Sequence, residues 1–148
     1  MNRKLRNDEL NRISVGEFKS TDKMPIIIIL DNIRSLNNIG SVFRTADAFL
    51  IEAVYLCGIT AKPHHREIQK TALGATESVN WKYFNSTIEA IDELKKLGYK
   101  IASIEQTENS VLLTDFCIKK NEKIAVIFGN EVSGVEQEVI DLSDLVIE

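Results

Sequence analysis

Short apolar runs of strand length alternate with segments of helical periodicity along most of this sequence. The run at residues 26–30 is apolar at every position, which is typical of a central strand covered on both faces. Further strands are predicted at residues 53–57, 79–84, 100–105, 123–128 and 144–147. The alternation predicts an α/β domain built on a parallel sheet.

Helices are predicted between these strands, at residues 38–50, 67–73, 87–97 and 135–142. The helix at 87–97 has the clearest ends, because Ser86 and Glu89 have the spacing of a capping box and Gly98 follows the last turn. The helix at 38–50 carries one apolar stripe, formed by Ile39, Val42, Phe43, Ala46, Phe49 and Leu50.

Length and composition exclude several classes of protein. A chain of 148 residues with 44% hydrophobic content fits one globular domain. No apolar run approaches the ~20 residues of a membrane crossing, and no secretory leader opens the chain, so membrane and secreted classes are not expected. Cys57 and Cys117 lie far apart, with no pattern for a disulfide or zinc site, and His64-His65 lacks further metal ligands. A reducing, cytoplasmic location without a bound metal is expected.

Charge is distributed unevenly. The formal net charge is −4, whereas residues 1–23 carry six basic and four acidic side chains. The six basic residues are Arg3, Lys4, Arg6, Arg12, Lys19 and Lys23. This pattern is typical of a solvated face with a mobile terminus, and polyanion binding is the alternative.

The segment Asn38-Ile39-Gly40-Ser41-Val42-Phe43-Arg44-Thr45 is the first candidate for a functional site. It lies on the C-terminal side of a predicted strand, where ligands of open α/β sheets bind. Asn38 is at the predicted helix start and Arg44 falls opposite the apolar stripe. A capping asparagine and a solvent-exposed arginine would explain both residues without any function.

The loop from Gly129 to Gly134 is the second candidate. It lacks the Lys-Ser/Thr pair of a phosphate-binding loop, and Glu131 would repel phosphate. A ligand with hydroxyls, amines or an adenine edge suits it better, and a simple glycine-rich turn is the alternative. A third glycine, Gly74, is compatible with a helix C-cap.

Three segments together carry a family resemblance. Residues 30–49 (LDNIRSLNNIGSVFRTADAF) resemble the first signature of the SpoU, or TrmH-like, RNA methyltransferases. Residues 127–135 (IFGNEVSGV) resemble the second signature, and residues 70–75 (KTALGA) resemble a segment of one branch. The resemblance covers residues 25–148 and leaves a basic N-terminal segment, 1–24, outside it.

The resemblance implies a Rossmann-like SPOUT fold with a C-terminal trefoil knot, a homodimer, and methyl transfer from S-adenosylmethionine to a ribose 2′-hydroxyl of tRNA or rRNA. By this resemblance Arg44 is the catalytic arginine and Asn38 its positioning partner. The implied cofactor loop contains Gly129, Asn130, Glu131 and Gly134, with the role of Glu131 left open. RNA contacts are expected from Arg3, Lys4, Arg6, Arg12 and Arg34.

One family feature is missing from the sequence. The third signature, a Ser-Leu-Asn stretch followed by a helix, does not occur before Glu148. We therefore expect an incomplete knot and weak cofactor binding by these 148 residues. A non-catalytic RNA-binding or assembly module is the alternative hypothesis, and an ordinary nucleotide-binding domain ranks last.

Overall fold

The computed structural model describes residues 1–148 and contains one six-stranded sheet in which every pairing is parallel. The strands are β1 (Met24–Asp31), β2 (Ile51–Cys57), β3 (Asn80–Phe84), β4 (Lys100–Ile104), β5 (Ile124–Phe128) and β6 (Leu145–Ile147). Their order in the sheet is β3-β2-β1-β5-β4-β6. The predicted parallel α/β fold is confirmed.

Helices pack on both faces of the sheet. They are α1 (Val15–Ser20), α2 (Leu36–Ala48), α3 (Arg66–Ala72), α4 (Ala75–Ser78), α5 (Thr87–Lys96) and α6 (Gln137–Leu142). Helices α1 to α4 contribute buried side chains to one core, and α5 and α6 contribute to the other. A short 3₁₀ turn, Asn7–Glu9, precedes α1.

Strand β1 is buried on both faces, as its wholly apolar sequence predicts. Ile27 and Ile29 lie in the core beneath α5 and α6, whereas Ile28 and Leu30 lie in the core beneath α1 to α4. Successive strand side chains point to opposite faces, so a strand with two covered faces needs apolar residues at consecutive positions.

The half of the sheet formed by β5, β4 and β6 has a smaller core on the α2 side. Only Ala102, Ile124 and Ile147 are fully buried there, and Phe116 from the β4–β5 connection packs against them. The same connection pairs with β6, since Val111 N donates to the Val146 carbonyl at 2.9 Å. A loop rather than a helix covers this part of the sheet.

The structure corrects the predicted starts of two helices. Helix α2 begins at Leu36 and is capped by Ser35, whose Oγ accepts the backbone N–H of Asn38 at 3.2 Å. Asn38 is therefore not the cap, because its side chain is used elsewhere. Helix α6 begins at Gln137 rather than Val135, because the Val135 N–H donates to Glu105.

The turn between α3 and α4 also differs from the prediction. Leu73, not Gly74, ends α3, and it has the left-handed conformation with φ of 50°. Gly74 follows with φ of 89° and begins the unpredicted short helix α4. Two successive left-handed residues reverse the chain here.

The N-terminal segment packs on the domain rather than lying wholly outside it. Phe18 in α1 is 3% exposed and belongs to the core beneath α2 and α4. Lys23 Nζ donates to the Phe18 carbonyl, which fixes the end of α1 next to β1. The interpretation of the basic terminus as a mobile tail therefore does not apply to α1.

Gly40 allows α2 and α3 to approach closely. A Cβ at this position would lie 2.0 Å from Thr71 Oγ1 and 2.3 Å from the Ile68 carbonyl oxygen. The same contact contains a hydrogen bond from Thr71 Oγ1 to the Asn37 carbonyl at 2.9 Å. The glycine of the first signature is therefore required by helix packing.

Replacing Gly40 with alanine is expected to lower the free energy of unfolding by about 1–3 kcal/mol, because the added methyl group meets backbone atoms of α3. Urea denaturation measures the change. Gly16→Ala is the matched control: the nearest atom to its Cβ is 4.0 Å away, and alanine is the better helix former. Equal stability of the two variants would contradict this account of the α2–α3 contact.

Candidate functional site

Both signature loops lie at the carboxyl edge of the sheet, next to each other. The first follows β1 and the second follows β5, and these two strands are neighbours. From β1 the chain builds β2 and β3 on one side, while β4, β5 and β6 lie on the other. Such a reversal of strand order is where open α/β sheets bind their ligands.

The Glu131 carboxylate connects the two loops. Its Oε2 accepts the backbone N–H of Arg34 at 2.9 Å, and its Oε1 accepts the backbone N–H of Ser35 at 3.0 Å. Asn38 Nδ2 donates to the same Oε1 at 3.1 Å. We call this set of contacts the Glu131 junction; it holds the second loop against the N-terminus of α2.

The junction stabilises the ionised form of Glu131. Partial desolvation opposes ionisation and is the largest single contribution, but hydrogen bonds from Arg34, Ser35 and Asn38 together outweigh it and lower the pKa of Glu131 to about 2. The carboxylate is therefore charged at neutral pH, with both oxygens engaged by this chain.

Glu131→Gln is expected to lower the free energy of unfolding at pH 7 by about 1 kcal/mol, a modest value because the side chain is exposed and screened by water. The folded-state pKa is depressed, so this contribution is present above the usual value of 4.5 and disappears as pH falls toward 2. In denaturation series, the difference in free energy of unfolding between wild type and variant should therefore be smaller at pH 3 than at pH 7. Glu108→Gln is the control, because the Glu108 carboxylate is exposed and makes no hydrogen bond or ion pair. Its free energy of unfolding should equal that of wild type at both pH values.

The second loop is closed by its own hydrogen bonds. The backbones of Asn130 and Gly134 bond to each other in both directions, at 3.0 and 2.9 Å. Asn130 Oδ1 accepts the N–H groups of Val132 and Ser133, and its Nδ2 donates to the Asn32 carbonyl at 2.7 Å. The Asn130 side chain is thus fully used in shaping the loop.

The two glycines of this loop permit close packing. A Cβ on Gly129 would lie 2.2 Å from the Val135 nitrogen, and one on Gly134 would lie 2.2 Å from Glu105 Oε2. Gly134 also has φ of 69°, a conformation that favours glycine. Glu105 Oε2 accepts the Val135 N–H at 3.0 Å and so holds the far end of the loop.

Three positioning residues were missed by the sequence analysis: Glu105, Asp31 and Asn32. Asn32 has φ of 54°, and its Oδ1 accepts the Ile59 N–H at 3.1 Å, which adds the loop after β2 to the site. Asp31 is 1% exposed, its Oδ1 accepts the Thr87 hydroxyl, and its Oδ2 has no partner. All three residues lie at or just after the end of a predicted strand, and that position is the sequence signal that could have identified them.

The structure does not bring Asn38 and Arg44 together. They are six residues apart on α2, hence about 9 Å along the helix axis. Asn38 belongs to the Glu131 junction, whereas the exposed Arg44 makes no hydrogen bond or ion pair and lines a groove beside α1. The exposed Arg34 contacts the junction only through its backbone N–H.

The N-terminal cations differ in whether they have partners. Arg3 donates to Glu9 through two nitrogens, at 2.8 and 3.0 Å. Lys4, Arg6 and Arg12 make no ion pair. Unlike Arg3, these three therefore remain available to bind an external anion with their full charge.

A groove of about 800 Å³ lies beside the second loop and could hold an adenosine-sized ligand. Its lining includes Gln106, directly after Glu105, and Gln137, three residues after the end of the loop. The other lining residues are Thr107, Glu108, Asn109, Ile140, Leu145 and Val146. This mixture of amide, hydroxyl and aliphatic groups suits a ligand with polar edges and an apolar face.

No group of three or more His, Cys, Asp or Glu side chains is placed to hold a metal ion. None of the helices combines the length and hydropathy that a membrane crossing requires.

Comparisons with known proteins agree with the fold. The chain is 28% identical over 122 residues to the tRNA (guanosine(18)-2′-O)-methyltransferase of Borreliella burgdorferi, covering 82% of this chain and 54% of the relative. It thus spans about half the length of the curated relatives it matches.

Two solved structures share its fold. An AdoMet-bound rRNA methyltransferase from Sinorhizobium meliloti superposes with a TM-score of 0.77 and 22% identity, covering 85% of this chain and 47% of the other. The TrmH/SpoU tRNA-modifying enzyme of A. aeolicus superposes with a TM-score of 0.75 and 21% identity, covering 90% and 66%.

The sequence profile of one family, described as the SpoU rRNA methylase family, matches residues 25–148. This span contains both signature loops, the Glu131 junction and Arg44. The chain therefore belongs to the SpoU rRNA methylase family.

Proposed function

We propose that the protein transfers a methyl group from S-adenosylmethionine to a ribose 2′-hydroxyl of tRNA or rRNA. The observation that carries the proposal is the Glu131 junction, which fixes both signature loops at the β1–β5 edge while Arg44 stays unpaired on the same helix. The relative from Borreliella burgdorferi is named as a 2′-O-methyltransferase, and the Sinorhizobium meliloti structure is described as AdoMet-bound.

The cofactor fits the second loop and the groove beside it. S-adenosylmethionine, when bound, supplies a sulfonium methyl as the electrophile. Gly129 and Gly134 let the loop pack closely against Val135 and Glu105, which fixes the shape of the backbone that faces the ligand in this proposal. The side chains of Asn130 and Glu131 hold the loop in shape, and Gln106 and Thr107 offer polar groups in the lining of the groove.

Arg44 has the role of an electrostatic catalyst in this proposal. A ribose hydroxyl is a very weak acid, so its oxygen must be stabilised as it loses its proton. An arginine side chain stays protonated and is an implausible base, but its planar fork binds a phosphate and a developing alkoxide. Arg44 holds the neighbouring RNA phosphate in place, and that phosphate assists loss of the hydroxyl proton to solvent as the 2′-oxygen takes the methyl group.

We also propose that the enzyme is a cytoplasmic homodimer. Arg44 lines a groove that shares no residue with the walls of the cofactor groove. A second copy is the simplest means of placing Arg44 of one chain near the cofactor loop of the other. Val132 in that loop is 81% exposed, which supports burial against a partner.

Isothermal calorimetry with S-adenosylmethionine separates the proposal from its alternatives. In a chain extended by the third signature, saturable binding at one site per chain is expected, together with no heat from ATP, which an ordinary nucleotide-binding domain would bind. Residues 1–148 alone are expected to bind S-adenosylmethionine more weakly. RNA binding without any heat from S-adenosylmethionine would overturn the enzyme proposal in favour of a non-catalytic RNA-binding module.

The N-terminal cations are expected to make RNA binding salt-dependent. Lys4→Ala/Arg6→Ala should reduce the slope of log K against log salt by about 1.5, since each phosphate contact contributes roughly 0.7–0.9. Filter binding of a tRNA transcript at four salt concentrations measures the slope. The control Arg3→Ala/Glu9→Ala leaves the net charge unchanged because it removes an internal ion pair, and it should change the salt slope little. Equal slopes in both variants would show that Lys4 and Arg6 do not touch RNA.

A further inference from the structure

A groove of about 680 Å³ lies between the N-terminal segment, α2 and the turn joining α3 to α4. We call it the arginine groove, because Arg12 and Arg44 both line it. Its lining includes Arg12, Ile13, Val15, Arg44, Asp47 and Leu73. It is separate from the cofactor groove, with which it shares no lining residue.

The two arginines give the groove a net positive charge, because its lining holds two guanidinium groups and one carboxylate. Neither guanidinium makes an ion pair or hydrogen bond in this structure. Asp47 is the one acidic residue of the lining, and its Oδ1 accepts the Ser78 hydroxyl at 2.6 Å. In a chain of net charge −4, this pair of free arginines is a local site for an anion.

The rim of the groove is apolar. Leu73 is 64% exposed, Ile13 52% and Val15 45%. Leu73 has φ of 50°, and a leucine in this conformation costs about 1–2 kcal/mol. Glycine at position 74 is required by its backbone angle rather than by space, because a Cβ there would meet no atom within 4 Å. The turn thus holds a large apolar side chain outward at the groove edge.

An anion site beside an aliphatic rim matches the chemistry of one nucleotide. The phosphate needs charge-assisted donors, and a base presents a flat apolar face to aliphatic or guanidinium groups. An apolar protein segment would use the rim but would leave both arginines unpaired and partly desolvated. The charge therefore favours RNA as the occupant.

We propose that the arginine groove holds a nucleotide of the RNA strand adjoining the methylated position, with its phosphate between Arg12 and Arg44 and its base against Leu73. The inference rests on the proposed function and deepens it. It gives the α3–α4 turn, whose sequence KTALGA belongs to one branch by resemblance, a role in substrate binding.

The test is equilibrium binding of a fluorescein-labelled, 12-nucleotide single-stranded RNA, measured by anisotropy with the full-length protein. Arg12→Ala should weaken binding at least about fivefold and reduce the salt slope by about 1. Leu73→Ala should weaken binding about fivefold with an unchanged salt slope, because apolar contact with the base is lost and no charge is removed.

Matched controls come from the opposite side of the molecule. Lys96→Ala removes a charge from α5, and Leu97→Ala removes an exposed leucine at its end. Both should bind the probe as wild type does. Thermal unfolding of each variant verifies that the fold is intact, and Arg12→Lys, which keeps the charge, should retain the salt slope while losing affinity.

Affinities of the Arg12 and Leu73 variants equal to those of the controls would overturn the proposal, as would a wild-type protein that does not bind the probe. If Leu73→Ala changes the oligomeric state and leaves RNA affinity unchanged, the edge of the groove at Leu73 is a protein interface instead. The proposed function can be contradicted independently of this groove. RNA binding that depends on Arg12 and Leu73 but is not accompanied by methyl transfer would contradict the methyltransferase function and would still support the arginine groove as an RNA-binding site.

Discussion

Replacing Arg44 with alanine is expected to lower kcat/KM for methyl transfer to RNA by at least about 100-fold. Removal of a single group that stabilises a developing oxyanion typically has an effect of this size. The loss should appear in kcat as well as KM, because Arg44 acts on the alkoxide that forms only during reaction.

The same substitution should leave the fold intact. Arg44 is exposed and makes no hydrogen bond or ion pair, so the free energy of unfolding should change by no more than about 0.5 kcal/mol. Thr45→Ala, at the next exposed position of α2, is the control and should retain activity. Arg44→Lys should restore little, since a point charge cannot reproduce a two-nitrogen fork. Full activity of the lysine variant would show that Arg44 contributes only its positive charge.

Gly129→Ala is expected to have the second largest effect, on both cofactor binding and stability. The new Cβ would lie 2.2 Å from the Val135 nitrogen and 2.3 Å from the Gly134 carbonyl carbon, both backbone atoms that no side-chain rotation can move aside. The loop must open, which breaks the bond from Val135 to Glu105 and the pairing of Asn130 with Gly134.

We expect this variant to lose about 3 kcal/mol of stability, at the upper end of overpacking costs, and to give no saturable heat with S-adenosylmethionine. Urea denaturation and calorimetry provide the two measurements, and Gly16→Ala again serves as the control without a clash. A Gly129→Ala protein that binds cofactor normally would remove the second loop from the proposed site.

Elements set by local sequence were predicted well. Ser86 caps α5 as predicted, with its Oγ accepting the Glu89 N–H at 3.3 Å, although the reciprocal bond of a capping box is not formed, and α5 runs from Thr87 to Lys96. Strand β1 was recognisable because an uninterrupted apolar run suits a position between two covered faces. In both cases neighbouring residues carry all the information.

Features that depend on distant contacts were missed. Ser35 and Asn38 are both good N-cap residues, and the choice between them depends on Glu131, whose carboxylate takes the Asn38 side chain. Glu105 carries no local sign of its role, because its contact with Val135 exists only once β4 and β5 are paired. The arginine groove likewise forms only when α1 packs beside α2 and the α3–α4 turn.

The most direct test of the central claim is nucleoside analysis of RNA after incubation with the full-length protein and S-adenosylmethionine. Unmodified tRNA and rRNA transcripts are digested to nucleosides and analysed by mass spectrometry. We predict a 2′-O-methylated nucleoside that is formed by wild-type protein and is at least about 100-fold less abundant with Arg44→Ala under initial-rate conditions. A methyl group on a base, or equal 2′-O-methylation by wild type and Arg44→Ala, would contradict the account.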